Sequence, residues 1–322
     1  MSSTKKQSLD FEKPLLDLEK QLDDLMQSSA NSDMDFTDEI KAIEKKIDLT
    51  KRQVYSDLSP WQKVQLSRHP NRPYSPDLIS RIFTNFEELH GDRLYKDDHA
   101  LIGGPASIEG QPVMVIAQQK GRNTEQNLQR NFGCPNPEGY RKARRLMELA
   151  ERFGLPVITI VDTAGAYPGR GAEERGQAEA IARSIETCLN LTSPIVSAVV
   201  GEGGSGGAIA LATGNRVLMY EHAVYSVISP EGCASILWRS ADHARDAAES
   251  LRLTAQDMMK LGVIDGIVEE PLGAAHRDPK QAIANLGEAI DRQLADLSGL
   301  SGDALVQDRH EKYIALGEKG LA

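Results

Sequence analysis

Cysteine is scarce in this sequence. The 322 residues include only Cys134, Cys188 and Cys233, and no two of them form a C-x-x-C pair. A structural zinc site needs clustered thiolates, and a secreted disulfide scaffold needs many cysteines for its size. We therefore predict neither a metal site nor a disulfide framework on this chain, and a reducing compartment suits it.

Long apolar runs and an excess of basic residues are also lacking. No run reaches the roughly 18 apolar residues that a membrane span needs, and the N-terminal MSSTKKQSLDFEKP has no apolar signal core. Lys and Arg number 37 against 47 Asp and Glu, so the formal net charge is −10. This balance disfavours binding to nucleic-acid phosphates. We predict a soluble, cytoplasmic protein that works neither at a membrane nor on nucleic acid.

The first 70 residues show two helical patterns. Apolar residues recur there at helical spacing. They are Leu15, Leu18, Leu22 and Leu25 in the first pattern and Ile40, Ile43, Ile47 and Val54 in the second. We predict a helical hairpin in residues 1–70, which either packs on its own core or docks a partner. The proline-rich stretch 59–77 is predicted to be a connector, and 76–93 a further helix.

From residue 100, apolar strands alternate with helices. Residues 100–121 predict a hairpin that turns at Glu109-Gly110, and 137–156 predict a helix that ends near Gly154. Strand–turn–helix units follow at 156–191 and 193–214, then two short strands in 216–238 and a helical tail from 271. Apolar strands that end in glycine-rich turns are typical of an α/β sheet buried on both faces. We predict an α/β domain over 71–296 and a helical tail over 297–322.

Two glycine-rich turns are candidates for chemistry: DTAGAYPG at 162–169 and GEGGSGG at 201–207. In open α/β sheets, ligands bind beyond the carboxyl ends of the strands. Glycine lets the backbone approach a ligand, and a helix that starts there adds partial positive charge. Adjacent N–H groups in such a turn can form an oxyanion hole. Alternatively, the glycines only let strand and helix pack closely.

Residues 203–207 also read Gly-x-Ser-x-Gly, the nucleophile-elbow pattern. Asp265 and His276 follow Ser205 in the order of the elbow hydrolases, so an α/β or crotonase-fold hydrolase that uses Ser205 is the alternative function. His276, however, lies in the polar stretch GAAHRDP, which predicts a solvated histidine. The same turn lacks the Lys and Ser/Thr of a phosphate loop, which disfavours that kind of nucleotide binding.

Basic residues cluster between positions 120 and 145. They are Lys120, Arg122, Arg130, Arg141, Lys142, Arg144 and Arg145. Either they hold phosphates or a carboxylate at the mouth of a site, or they form the solvated face of the helix that spans 139–153.

Eight motifs in order carry a family resemblance. They are NRPYSPD, GDR, QKGR, RNFG, PEGYRKA, DTAGAYPGRGAEERGQ, GEGGSGGAIA and YSVISPEGCASILW. From about residue 9 to 277 the chain resembles the alpha subunits of bacterial acetyl-coenzyme A carboxylase carboxyltransferases. Ala164 stands where that family usually has proline, which leaves Gly165 and Ala166 in place.

The resemblance implies a crotonase-type fold, a spiral of ββα units, in an α2β2 assembly with a beta subunit. It implies transfer of a carboxyl group from carboxybiotin, held on a separate biotin carboxyl carrier protein, to acetyl-coenzyme A. The product is malonyl-coenzyme A, in the first committed step of fatty acid synthesis. Biotin carboxylase is the implied partner in the full complex. Zinc, in a ribbon, and most of the acyl-coenzyme A are expected on the beta subunit.

The resemblance also implies roles for particular residues. The N–H groups of Gly206 and Gly207 are expected to form an oxyanion hole for the ureido oxygen of biotin. Further residues are expected to line the biotin site, and they are Gly203, Gly204, Gly165, Ala166 and Tyr167. Ser205 is then a small residue that fits a tight turn, and the chemistry belongs to the main chain.

Overall fold

One seven-stranded sheet organises the chain, and the computed structural model describes residues 8–31 and 36–319. The strands are β1 (Leu101–Ile108), β2 (Gln111–Gln118), β3 (Val157–Thr163), β4 (Ile195–Gly204), β5 (Arg216–Tyr220), β6 (Val224–Ser226) and β7 (Gly266–Val268). The α-helices before β3 are α1 (Lys13–Ala30), α2 (Thr37–Tyr55), α3 (Pro60–Ser67), α4 (Ser75–Ile82), α5 (Thr124–Gln129) and α6 (Pro137–Arg152). Those after β3 are α7 (Arg170–Glu174), α8 (Gln177–Asn190), α9 (Ser205–Ala212), α10 (Pro230–Leu237), α11 (Ala244–Leu251), α12 (Ala255–Leu261), α13 (Pro279–Leu297) and α14 (Gly302–Lys319).

The sheet is mixed. Its strand order is β1-β2-β3-β4-β5-β7, and β6 pairs with the far end of β4. Only β1 and β2 are antiparallel, and they form the predicted hairpin. Glu109 and Gly110 both have positive φ, 44° and 82°, as a two-residue turn of type I′ requires. The α/β class predicted from the alternating pattern is confirmed.

Helices cover both faces of the sheet, so its central strands are buried. Every residue of β3 is buried. Leu146 of α6, Leu286 of α13 and Leu305 of α14 belong to the same apolar core as the strands. Because β3 and β4 are buried throughout most of their length, the turns that follow them are held on a rigid base.

The two predicted N-terminal helices are present, and α1 packs against α2. Only Leu15 and Leu18 of α1 are buried, and α2 buries no residue. At the base of the pair, the buried Glu12 Oε1 accepts hydrogen bonds from His276 Nε2 and from Arg277 Nε, both at 3.0 Å. The prediction that His276 is solvated was wrong, because its side chain is only 6% exposed and is hydrogen-bonded to this distant carboxylate.

Two local predictions were also wrong, and one helix was missed. The predicted connector contains α3, whose N-terminus has a capping box between Ser59 and Gln62. The predicted helix over 76–93 ends at Ile82, because the chain then runs extended beside β1, where Thr84 pairs with Ser107. The helix α10 follows the two short strands and was not predicted.

Within the described ranges, no helix is both long and apolar enough to cross a membrane.

Candidate active site

The two predicted glycine turns lie side by side at one edge of the sheet. β3 and β4 are parallel neighbours, and Thr163 pairs with Gly203. The Thr163 hydroxyl closes the first turn, since Oγ1 donates to the Gly165 carbonyl at 2.8 Å and accepts from the Gly165 N–H at 3.1 Å. A Cβ on Gly207 would lie 2.6 Å from the carbonyl carbon of Gly165. The main chains of the two turns are therefore in direct contact.

Helix α9 begins at the second turn without a side-chain cap. In an α-helix, the N–H groups of the first turn have no partner within the helix, and here these belong to Ser205, Gly206 and Gly207. Gly206 is half-buried, and a Cβ on it would come no closer than 3.5 Å to its nearest neighbour, Ile181. The start of α9 can thus offer adjacent N–H donors and the positive end of its dipole.

A cavity of about 410 Å³ opens beside this helix start. Ser205 and Gly206 line it on one side. Apolar and aromatic side chains form most of the remaining wall, which consists of Ile209, Tyr225, Ser226, Val227, Leu251, Met258 and Val263. Such a wall suits an apolar ring system that packs against it.

Two of the other glycines predicted to contact biotin have close neighbours in the protein. A Cβ on Gly203 would lie 2.8 Å from the Tyr225 ring, and one on Gly204 would collide with the main chain of Ala164. The main chain of Ala164 therefore packs directly against Gly204.

The first turn is tied to its surroundings through the main chain. Ala166 packs in a small apolar cluster with Tyr140. The Tyr167 N–H donates to the Pro135 carbonyl at 3.0 Å, and Gln177 Nε2 donates to the Tyr167 carbonyl at 2.9 Å. The Tyr167 ring itself is exposed.

Ser205 has no catalytic base or orienting acid in the part of the chain that the structure describes. Asp265 Oδ2 accepts from the Val217 N–H at 2.6 Å and pairs with Lys312. His276 pairs with Glu12, as described above. Neither residue forms the hydrogen-bonded chain that a nucleophilic serine requires. Ser205 itself has a φ of +48° and serves as the first residue of α9.

A network of charged side chains lies under the two turns. Lys120 Nζ contacts Asp162 Oδ1 at 2.7 Å and Glu202 Oε2 at 3.0 Å. Arg68 bridges the other oxygen of Glu202, at 2.7 Å, to Glu231, at 2.5 Å. Burial raises the pKa of Glu202, but the charges of Lys120 and Arg68 outweigh it and lower that pKa to about 2. Burial likewise opposes the charge of Lys120, yet its two carboxylate partners raise the pKa above the usual range.

Most of the predicted basic cluster is engaged in such ion pairs. Lys142 is fully buried and contacts Asp97 Oδ1 at 2.6 Å, and Arg141 contacts Asp92 at 2.8 Å. The interpretation of these basic residues as the solvated face of a helix was therefore wrong for Lys142 and Arg141. It holds for Arg144, which is exposed.

Sequence analysis missed Gln118, which links the two turns. It is fully buried at the end of β2, and its Nε2 donates to the Gly207 carbonyl at 2.6 Å. Its Oε1 accepts from the Asp162 N–H at 3.2 Å. The only available signal was its place at the end of a strand next to β3.

Solved structures share this fold. The protein resembles the transcarboxylase 12S core in complex with hydrolysed methylmalonyl-coenzyme A, with a TM-score of 0.58 and 19% identity over 75% of this chain and 46% of that one. It also resembles the beta subunit of geranyl-CoA carboxylase from P. aeruginosa (TM-score 0.57, 17% identity, 77% and 46% covered). A third similar structure is a subunit of a Pseudomonas malonate decarboxylase hetero-tetramer, with a TM-score of 0.57 and 17% identity over 70% of this chain and 90% of that one. The fold is the crotonase-type fold of the carboxyltransferases, as predicted, although the chain spans less than half of the first two proteins.

Sequence relatives are much closer. The chain is 56% identical over 314 residues to the acetyl-coenzyme A carboxylase carboxyl transferase subunit alpha of Paramagnetospirillum magneticum, with 98% of this chain and 99% of that one covered. It is 57% identical to the subunit of the same name from Rhodospirillum centenum, with 97% and 99% covered. A family model described as acetyl co-enzyme A carboxylase carboxyltransferase-like matches residues 8–317. The chain belongs to the acetyl-coenzyme A carboxylase carboxyltransferase alpha-subunit family.

Proposed function

We propose that this chain forms one half of a carboxyltransferase site and transfers a carboxyl group from carboxybiotin to acetyl-coenzyme A, giving malonyl-coenzyme A and biotin. This reaction is the first committed step of fatty acid synthesis. Family membership supports the reaction, since the close relatives carry the carboxyltransferase name over their full length. The observation that carries the residue assignment is the uncapped start of α9 at Gly206 and Gly207, beside an apolar cavity.

Biotin fits this part of the structure. Its ureido group needs donors for an oxygen that gains negative charge, and its ring system needs an apolar wall. The first turn of α9 has donors without helical partners, and the cavity beside Gly206 has a mostly apolar wall. Carboxybiotin, when bound here, would supply the carboxyl group, and the biotin left behind would supply a base for the proton of the acetyl group.

The residues of this chain contribute orientation and charge stabilisation. The N–H groups of Gly206 and Gly207 are assigned as the oxyanion-hole donors, and loss of one such donor raises a barrier by about 2.7–4 kcal/mol. Gly165, Ala166 and Tyr167, with Gly203 and Gly204, are assigned to the rim and floor of the biotin site. The apolar wall keeps water from the reacting groups. No side-chain base is needed, which agrees with the surroundings of Ser205.

A partner subunit completes the site in this proposal. Next to the cavity, α10 and the residues on either side of it expose several large apolar side chains. The exposed residues are Val227, Ile236, Leu237 and Trp238, and the first three are 67–74% exposed. Apolar patches of this kind are typical of protein interfaces. Relatives named "subunit alpha" imply such partners, and we assign this surface to a beta subunit in an α2β2 assembly.

The remaining assignments follow from the family. The beta subunit would hold a zinc ribbon and most of the acetyl-coenzyme A. A biotin carboxyl carrier protein would deliver the biotin after biotin carboxylase has carboxylated it. The division into residues 1–70, 71–296 and 297–322 and the cytoplasmic location stay predictions of the sequence.

Reconstitution tests the function. The chain is co-expressed with a candidate zinc-ribbon partner, and the purified complex is given free carboxybiotin and acetyl-coenzyme A. We expect malonyl-coenzyme A from the complex and none from either chain alone. A complex that forms and yet produces no malonyl-coenzyme A would refute the proposal.

A further inference from the structure

The side-chain amide of Gln118 joins the two turns of the site. Its Nε2 lies 2.6 Å from the Gly207 carbonyl oxygen in α9, and its Oε1 lies 3.2 Å from the Asp162 nitrogen in β3. The side chain is fully buried, so water does not compete for either bond. Its own main-chain carbonyl is held by the hydroxyl of the buried Ser75. The nitrogen and the oxygen of one planar amide group thus each form a hydrogen bond, and together these bonds fix the distance between α9 and β3.

Lys120, two residues further on, joins β3 to β4. Its Nζ contacts Asp162 at 2.7 Å and Glu202 at 3.0 Å, and Asp162 Oδ1 also accepts from the Glu202 N–H at 3.0 Å. Asp162 is therefore fixed on its side chain by Lys120 and on its main chain by Gln118. The end of β2 is connected to each of the two turns by buried polar contacts.

Gly207 depends on such contacts for its orientation. A glycine has no side chain that packs against its neighbours, and its main chain has more conformational freedom than that of any other residue. The bond from Gln118 restrains the Gly207 carbonyl, and through the same Cα it restrains the direction of the Gly207 N–H. An oxyanion hole works only when its donors are held in place before the reaction.

We propose that Gln118 is a positioning residue for the carboxyl transfer: its amide sets the geometry of the Gly206 and Gly207 donors from the end of β2, without touching substrate. The inference rests on the proposed function of the site. It predicts an effect on the chemical step rather than on the binding of acetyl-coenzyme A.

The test compares two neighbouring glutamines in the reconstituted complex. Gln118→Met keeps the length of the side chain and removes both hydrogen bonds. Gln119→Met is the matched control, because Gln119 faces Arg130 instead. For Gln118→Met we expect kcat to fall about tenfold to a hundredfold while KM for acetyl-coenzyme A stays within about twofold. For Gln119→Met we expect neither value to change.

Hydrogen exchange supplies a readout that does not depend on turnover. Amides of 205–212, followed by mass spectrometry, should exchange faster in Gln118→Met than in the wild type and at wild-type rate in Gln119→Met. A folded Gln118→Met complex with kcat within about twofold of the wild type would overturn the proposal.

A second variant covers the case in which Gln118→Met does not fold. In Gln118→Glu the carboxyl group can donate to the Gly207 carbonyl only when it is protonated, and burial raises the pKa of a carboxyl group. Asp162, Glu202 and Lys120 are the charged groups nearby. The ratio of variant to wild-type kcat should rise as the pH falls from about 8 to about 6. A ratio that is near one at all pH values would overturn the proposal.

These outcomes are separable from failure of the proposed function. If the wild-type complex makes no malonyl-coenzyme A, the function is wrong. If the wild type is active and the Gln118 variants match it, only the positioning role is wrong.

Discussion

Gly207 lies so close to the main chain of Gly165 that it has no room for a side chain. A Cβ on Gly207 would lie 2.6 Å from the Gly165 carbonyl carbon and 2.8 Å from the Ala166 nitrogen. Gly206, one residue earlier, has room, since a Cβ there meets Ile181 at an ordinary 3.5 Å. Two adjacent glycines of one motif therefore have different reasons for being glycine.

Alanine substitutions separate these reasons. Gly207→Ala should push the two turns apart, lower the free energy of unfolding by about 1–3 kcal/mol and abolish most of the transfer activity. Gly206→Ala is the matched control and should unfold at no lower urea concentration than the wild type. Equal stability of the Gly207→Ala variant would show that the turns are not in contact as described.

The Glu202 ion pairs should make stability depend on pH in acid. Burial raises the pKa of Glu202, but Lys120 and Arg68 lower it to about 2, against an ordinary value of 4.5. A carboxyl group with a depressed pKa stabilises the fold above its unfolded-state pKa. That contribution, roughly 3 kcal/mol, is lost as the pH falls from about 4.5 to about 2.

Denaturant unfolding at a series of pH values checks this expectation. The difference in unfolding free energy between wild type and Glu202→Gln should be largest above pH 4.5 and shrink below it. Glu148→Gln, which alters an exposed ion pair of α6, is the control and should show no such trend. A difference that is constant across this range would contradict the assigned pKa.

Glu12 should anchor the N-terminal helices. Its buried carboxylate accepts hydrogen bonds from His276 and Arg277, so Glu12→Ala would leave buried donors without their acceptor. We expect the free energy of unfolding to fall by roughly 3 kcal/mol and limited proteolysis to cut within α1 and α2 first. Asp10→Ala, two residues earlier in the chain and with the exposed Lys13 as its partner, should behave like the wild type. Unchanged proteolysis of Glu12→Ala would contradict the anchoring role.

The apolar surface of α10 should be needed for assembly with a partner. Ile236 is 71% exposed, and a charge there would be buried unpaired in an interface. Ile236→Asp should therefore weaken co-purification with the zinc-ribbon partner while leaving the thermal stability of the isolated chain unchanged. Ile314→Asp, at a similarly exposed apolar residue of α14, is the control. Normal assembly of the Ile236→Asp variant would place the interface elsewhere.

Much of the site could be predicted because its signals are local. The alternation of apolar strands with glycine-rich turns follows the chain, so the hairpin at Glu109-Gly110 and both turns at the ends of β3 and β4 were found. The capping box of Ser59 and Gln62 was also readable. It was missed because the prolines around it suggested a connector.

The features of the fold and of the site that were not predicted depend on contacts between residues far apart in the sequence. Gln118 and Gly207 are 89 positions apart, and Glu12 and His276 are 264 apart. No local pattern reports such pairings, and a polar segment such as that of His276 looks solvated until its distant partner is known. Lys142 is buried because it pairs with the distant Asp97, and the helical periodicity of the sequence does not indicate such a pairing.

The measurement that tests the account most directly is the effect of removing the Ser205 hydroxyl in the reconstituted complex. Ser205→Gly does this and also suits the positive φ of that position, +48°. If the main chain of Gly206 and Gly207 performs the catalysis, malonyl-coenzyme A formation should stay within about threefold of the wild type. A fall of kcat by about 10⁶, the cost of removing a catalytic serine in a serine protease, would contradict the account and restore Ser205 as the nucleophile.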